Sequence, residues 1–196
     1  MKKRNFLVLA LSFVTCAMAA QTITFFTPRM VRVQQAPNGH IERQSLVVTA
    51  TPEKVKVKES VVDGAKIYKS SDLIVTVKDG NVSFTDVKGN LLTTATGVKF
   101  TPITQGPDKG SYRIRQAFTV DGDEGLYGVG LLQNGKMSQR GENRSMQQSN
   151  LEDYAHVFQS IKGYGIYWDN YSPTRYITPE EGKSGEMVLE SQVGKS

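Results

Sequence analysis

"DLIVTVKDGNVSFTDVKGNLLTT", residues 72–94, decides the fold. Its β-branched and apolar residues alternate with polar ones at a period of two, the repeat of a half-buried strand. Asp79-Gly80 separates two such runs, and this pair accepts the positive φ angles of a tight hairpin turn. Gly89-Asn90 repeats the device ten residues on. Upstream, "LVVTA" (46–50), "KVKVKE" (54–59) and "AKIYKS" (65–70) carry the same signal, bounded by Pro52 and Asp63-Gly64. Downstream, strands are expected at "GVKFTPI" (97–103), "SYRIRQAFTV" (111–120), "GLYGVG" (125–130) and "RSMQQS" (144–149). "HVFQSI" (156–161), "GYGIYWDN" (163–170) and "GEMVLESQV" (185–193) follow. Helical periodicity is nearly absent. Many short strands with turns every ~10 residues predict an all-β chain, with two antiparallel sheets facing each other in a β-sandwich. A closed barrel is the alternative architecture. "ITQGPDKGS" (103–111) is the longest stretch expected to be an exposed loop.

The first twenty residues, "MKKRNFLVLALSFVTCAMAA", stand apart. Lys2, Lys3 and Arg4 precede a short apolar run, and Ala17-Met18-Ala19 supplies a small-x-small cleavage pattern, so residues 1–20 read as a cleavable signal peptide. The run is too short to span a bilayer. The expected location is therefore periplasmic or extracellular, with no membrane attachment after cleavage. Losing the leader lowers the net charge from +5 to +2, with 21 basic residues against 19 acidic. No basic face stands out, so nucleic acid is not an expected partner. Cys16, the one cysteine, leaves as well, and packing rather than disulfides must hold the mature chain. Residues 21–196 suffice for one domain.

The glycines of "GLYGVGLLQNGKMSQRG" (125–141) invite comparison with a phosphate-binding loop. Such a loop needs a helix after the glycines to hold the phosphates, and Asn134-Gly135 makes a turn instead. A bulge or close strand packing is the reading left. "DGDEG" (121–125) offers two or three carboxylates for acid–base work or a cation, yet between two strands it reads as a solvated hairpin turn. His40 and His156 are the only histidines and have no cysteine partners, so no metal site is expected. No serine sits on a nucleophile elbow. In "GYGIYWDN", alternation sends Tyr164, Ile166 and Trp168 to one side and Tyr167 to the other. That side reads as core rather than as a stacking platform for sugars.

Taken in order, Tyr127 to Gly130, Arg140-Gly141, the polar segment from about Gln147 to Glu152, and Gly163 to Asn170 resemble the N-terminal domain of glycoside hydrolase family 31. "FFTPRMVRVQQAPNG" (25–39) is similar to that family's opening segment. The family contains α-glucosidases and α-xylosidases, and the resemblance leans towards bacterial α-xylosidases. It implies a β-sandwich related to galactose mutarotase, packed against a (β/α)₈ barrel that carries the nucleophile and acid/base aspartates of a retaining mechanism. A barrel takes about 250 residues, so it is expected to lie outside these 196, and no catalytic residue is assigned here. No cofactor is implied.

In the family a loop of this domain reaches the sugar site. The matching segment is "QQSNLED", which lacks the common W-N-x-D pattern, and Gln148 and Asn150 are the neutral hydrogen-bonding groups expected to contact an α-linked oligosaccharide in its place. The expected function is thus the N-terminal domain of a secreted α-glycosidase. The alternative is a free-standing, non-catalytic carbohydrate-binding module.

Overall fold

The computed structural model describes residues 20–37 and 44–195. His40 and the expected leader, apart from Ala20, lie outside them. The chain is all antiparallel β. Its strands are β1 (Ala20–Thr27), β2 (Met30–Ala36), β3 (Lys58–Val62), β4 (Ala65–Lys69), β5 (Leu73–Lys78), β6 (Asn81–Asp86) and β7 (Leu91–Pro102). They continue with β8 (Tyr112–Val120), β9 (Leu126–Leu131), β10 (Asn143–Met146), β11 (Asp153–Ser160), β12 (Gly165–Tyr167), β13 (Thr174–Ile177) and β14 (Gly185–Gly194). Among the described residues no helix is long and apolar enough to cross a membrane.

Nine strands form one large sheet in the order β10-β13-β14-β8-β7-β6-β5-β4-β3. A two-stranded sheet, β1-β2, and a three-stranded sheet, β12-β11-β9, form the opposing layer. All three sheets share one core. Val75, Val82, Ala95, Phe118 and Leu189 from the large sheet cluster with Phe25 of β1 and Val129 and Phe158 of the small sheets. The expected sandwich is the architecture found; among the described residues no closed barrel forms.

The turns explain the meander β3 to β6. Asp63 and Gly64 have φ of 48° and 78°, and Asp79 and Gly80 have 50° and 79°. Both pairs supply the two positive φ angles that let a two-residue turn follow strand twist. At the third turn the Asp86 carboxylate accepts the backbone N–H groups of Lys88 and Asn90, each at 2.8 Å. Residues 103–111 form the loop expected there, largely exposed.

Three expectations need correction. "LVVTA" (46–50) is not a strand: Ser45 Oγ accepts the N–H groups of Val47 and Val48 and turns the chain, leaving Leu46 and Val47 exposed. "KVKVKE" becomes strand only from Lys58. Its earlier part runs beside β1, where Glu53 N–H donates to Phe26 O at 2.9 Å, and Val55 and Val57 pack on the core. Alternation alone does not supply a ladder partner. Third, "DGDEG" is no hairpin turn, because β8 and β9 lie in different sheets and the segment carries the chain from one layer to the other. The sequence reading also missed β13, whose four residues are too few to show a period.

The glycines of β9 do what a bulge requires. Gly128, Val129 and Gly130 have φ of 107°, 60° and 115°. Opposite them the β11 register jumps, with Tyr154 facing Gly130 and Phe158 facing Gly128. Val129 is thereby turned fully into the core. A Cβ on Gly130 would run into the carbonyl oxygen of Asp153, and one on Gly128 into that of Val157. Gly135 also has positive φ, 68°, but its side-chain space is open. Urea denaturation should therefore find Gly130→Ala destabilised by ~3 kcal/mol and Gly135→Ala by ~1 kcal/mol. Equal losses would show that the close approach of β9 to β11 contributes nothing.

Candidate functional site

The polar segment singled out in the sequence connects β10 to β11 and stands beside the β9 bulge. Its local shape comes from Gln148. The side-chain amide accepts the N–H of Tyr154 at 2.8 Å and donates to the carbonyl of the same residue at 3.0 Å, which closes the loop 148–154 upon itself. Ser149 N–H adds a bond to Glu152 O. Both functional ends of the Gln148 amide are thus engaged within the loop. Asn150 is exposed and lines a cavity of about 590 Å³ together with Gly130, Gln133, Lys136 and Glu152.

A chain of alternating charges underlies this cavity. Lys136 Nζ lies 2.8 Å from Glu142, Arg144 lies 3.7 Å from Glu142 and 3.2 Å from Glu152, and Tyr154 Oη donates to Glu152 at 2.6 Å. Burial, and the hydrogen bond to Glu152, raise the Tyr154 phenol above its ordinary range. Three large apolar side chains, Leu131, Met137 and Leu151, line the same cavity and are 75%, 83% and 69% exposed.

The cavity offers hydrogen-bonding groups and apolar surface, not a reaction centre. Hydrolysis of a glycoside needs two carboxyl groups facing each other across the bond. Glu152 is held by Arg144 and Tyr154, and Asp153 follows it directly at the start of a strand, where neighbours point to opposite faces. No group of three metal-ligating side chains exists among the described residues.

Two other motifs are structural. Arg140 is buried and donates from Nη1 to Asp121 O (3.1 Å) and from Nη2 to Glu180 O and Lys183 O (2.9 and 2.5 Å). Gly141, with φ of 67°, passes its N–H to Pro179 O. The pair therefore clamps two turns together. In "GYGIYWDN", Ile166 and Trp168 pack against the core as the alternation predicts, and Trp168 Nε1 donates to Ser191 Oγ at 2.8 Å.

The carboxylate that sequence reasoning misplaced is Glu124. Expected in a solvated turn, it is 2% exposed. Ser160 Oγ and Tyr164 Oη donate to it at 2.6 and 2.5 Å, Asp121 N–H at 3.1 Å, and Lys162 Nζ stands 3.6 Å away. Lys162 also pairs with Asp121 at 2.6 Å. The two side-chain donors come from the β11–β12 turn, more than thirty residues downstream, and no local spacing announces them.

With that geometry in view, the chain can be compared with known proteins. Residues 20–176 match the family described as "Glycosyl hydrolase 31 N-terminal galactose mutarotase-like domain". The chain belongs to this family. An α-xylosidase of Saccharolobus solfataricus is 29% identical over a 165-residue alignment that covers 76% of this chain and 22% of that protein. The family 31 α-xylosidase structure from Xanthomonas citri superposes with a TM-score of 0.77 at 28% identity, covering 86% of this chain and 19% of that one. A family 31 α-xylosidase from a soil metagenome, complexed with xylose, shares the fold with a TM-score of 0.74 at 18% identity, covering 89% of this chain and 30% of that one. The family 31 domain described here thus corresponds to the N-terminal part of its relatives and spans about a fifth of the length of the first two.

Two consequences are measurable. Replacing Glu124 by Ala leaves three donors without their acceptor, and a loss of about 3 kcal/mol is expected in chemical denaturation; a loss below 1 kcal/mol would contradict the anchoring role. The phenols give an alkaline limit. Burial, and then the Glu124 carboxylate, raise the Tyr164 phenol, burial raises Tyr176, and burial followed by the Asp169 charge pushes Tyr167 up to about 12. The unfolded value is ~10, so their stabilisation is complete below that pH and is lost as pH rises through the folded values. Absorbance at 295 nm and circular dichroism should then show these phenols ionising together with unfolding above pH ~10. Ionisation of all eight tyrosines at pH ~10 in a still-folded chain would refute it.

Proposed function

We propose that this chain is the N-terminal domain of a secreted α-glycosidase of family 31 that acts on α-xylosides or related α-linked oligosaccharides. Its loop 148–154 borders a sugar site completed by a catalytic barrel elsewhere in a longer polypeptide. The observation that carries this reading is the placement of Asn150 in a cavity rimmed by exposed Leu131, Met137 and Leu151. An apolar rim of that kind suits a surface covered by another domain, and the same edge presents amides to whatever occupies the gap.

Asn150 supplies a side-chain donor and acceptor for sugar hydroxyls. Gln148 acts one step back, holding the loop closed through Tyr154. The α-xylosidase relatives, one of them complexed with xylose, support the sugar class. The leader pattern of residues 1–20 supports export to the periplasm or beyond.

An assay of the 196-residue chain on an aryl α-xyloside and an aryl α-glucoside should give no turnover, because in this reading the reacting carboxyl pair belongs to the barrel. Titration with α-linked xylosyl oligosaccharides should find no binding tighter than millimolar. Turnover above background, or micromolar affinity of about 8 kcal/mol, would overturn the reading in favour of a self-sufficient enzyme or binding module.

A further inference from the structure

The second layer of the sandwich is split. Along it lie, in order, the segment 53–57, β1, β2, an open slot, β12, β11 and β9. The far edge of β1 is flanked by the Glu53 segment. The near edges are β2, which among the described residues pairs only with β1, and β12, which there pairs only with β11. Between them runs a cavity of about 780 Å³. A packed interior leaves few voids larger than a water molecule, so this is no packing defect.

Its floor is the inner face of the large sheet, with Phe84, Leu92, Ala95 and Phe118 among the lining residues; Val33 and Trp168 stand at its sides. Arg32 reaches across from β2 towards Asp169, just beyond β12, at 4.0 Å. Among the described residues its buried Nη2 has no hydrogen-bond partner, and neither has the buried Oε1 of Gln35, also on β2. One strand inserted between two others needs about 10 Å, twice the usual spacing. An outstretched arginine paired to an aspartate spans a gap of that order.

The chain itself arrives at this slot. Asn170 Nδ2 donates to Val193 O at 3.1 Å, and Gly194 is packed so closely that a Cβ would strike Ile114 and Asn170. Both of those residues line the cavity. The polypeptide leaving β14 therefore stands at the cavity mouth, and β2 offers seven residues of edge to pair with.

We propose that the slot is a strand acceptor: it takes one extended strand, apolar on alternate residues, supplied by the polypeptide that follows Ser196 in the longer protein. The incoming strand lays its apolar face on Phe84, Leu92 and Phe118 and closes the ladder from β2 to β12. Edge strands are templates for such addition, with main-chain bonds giving affinity and side-chain pockets giving register. The split layer then becomes one continuous sheet. This inference rests on the chain being part of a longer protein, and it is tested without sugar or activity, so its failure is separable from that of the sugar-site reading.

The test compares three chains: the 196-residue chain, the same chain extended after Ser196 by Gly-Asn-Gly-Lys-Thr-Val-Thr-Phe-Thr-Val-Lys, and a control in which both valines of the extension are prolines. Hydrogen exchange of residues 30–36 and 165–168 is followed by mass spectrometry. The pairing extension should slow exchange at both edges at least tenfold, and the proline extension should not, since proline cannot join a ladder. If the shorter chain lacks a cooperative thermal transition, its appearance only with the pairing extension supports the same conclusion. Unchanged exchange at either edge overturns the proposal, as does the absence of cooperative unfolding in all three chains. It is equally overturned if the 196-residue chain is a dimer with both edges already protected.

Discussion

The crossing from the large sheet to the smaller layer, between β8 and β9, depends on one buried carboxylate. Glu124 is enclosed by Ser160, Tyr164, the Asp121 amide and Lys162, and these groups belong to the two segments that meet there. Burial of an ionised group is tolerated only when its oxygens are satisfied and a counter-charge is near, and both conditions hold. The consequence is geometric. With the crossover fixed to the β11–β12 turn, β9 must start beside the end of β11, as its pairing of Leu126 with Ser160 records.

From that start the β9 bulge sets the candidate site. Three successive positive φ angles turn Val129 inward and let Gly128 and Gly130 lie against the carbonyls of β11. The strand then leaves the ladder at Leu131, and the residues after it rim the cavity that Asn150 faces. Arg140 gathers the carbonyls of Asp121, Glu180 and Lys183 and ties two turns together. The loop 148–154 is closed by its own Gln148–Tyr154 hydrogen bonds beside the bulge.

Much of the fold was legible from local signals. Asp63-Gly64 and Asp79-Gly80 marked hairpins because only certain residues accept the φ angles those turns impose. The side assignment of Ile166 and Trp168 followed from the pleat. The site was legible in a weaker sense. The order of the motifs located the loop, and Asn150 does line the cavity, but that the Gln148 amide would be used on Tyr154 depends on a turn no pattern encodes. "LVVTA" misled because its alternation had no neighbouring edge to pair with, and Ser45 diverted the chain.

By itself the sequence determined the all-β class, the hairpin turns and the family, because these rest on φ preferences, side-chain alternation and the spacing of motifs along the chain. Only the tertiary structure decided that Glu124 is buried, that Arg140 is a clamp, and that the second layer is divided by a cavity. Those properties arise from residues dozens of positions apart meeting across two sheets. Burial and hydrogen-bond partnership are set by that meeting, and a local pattern carries no record of it.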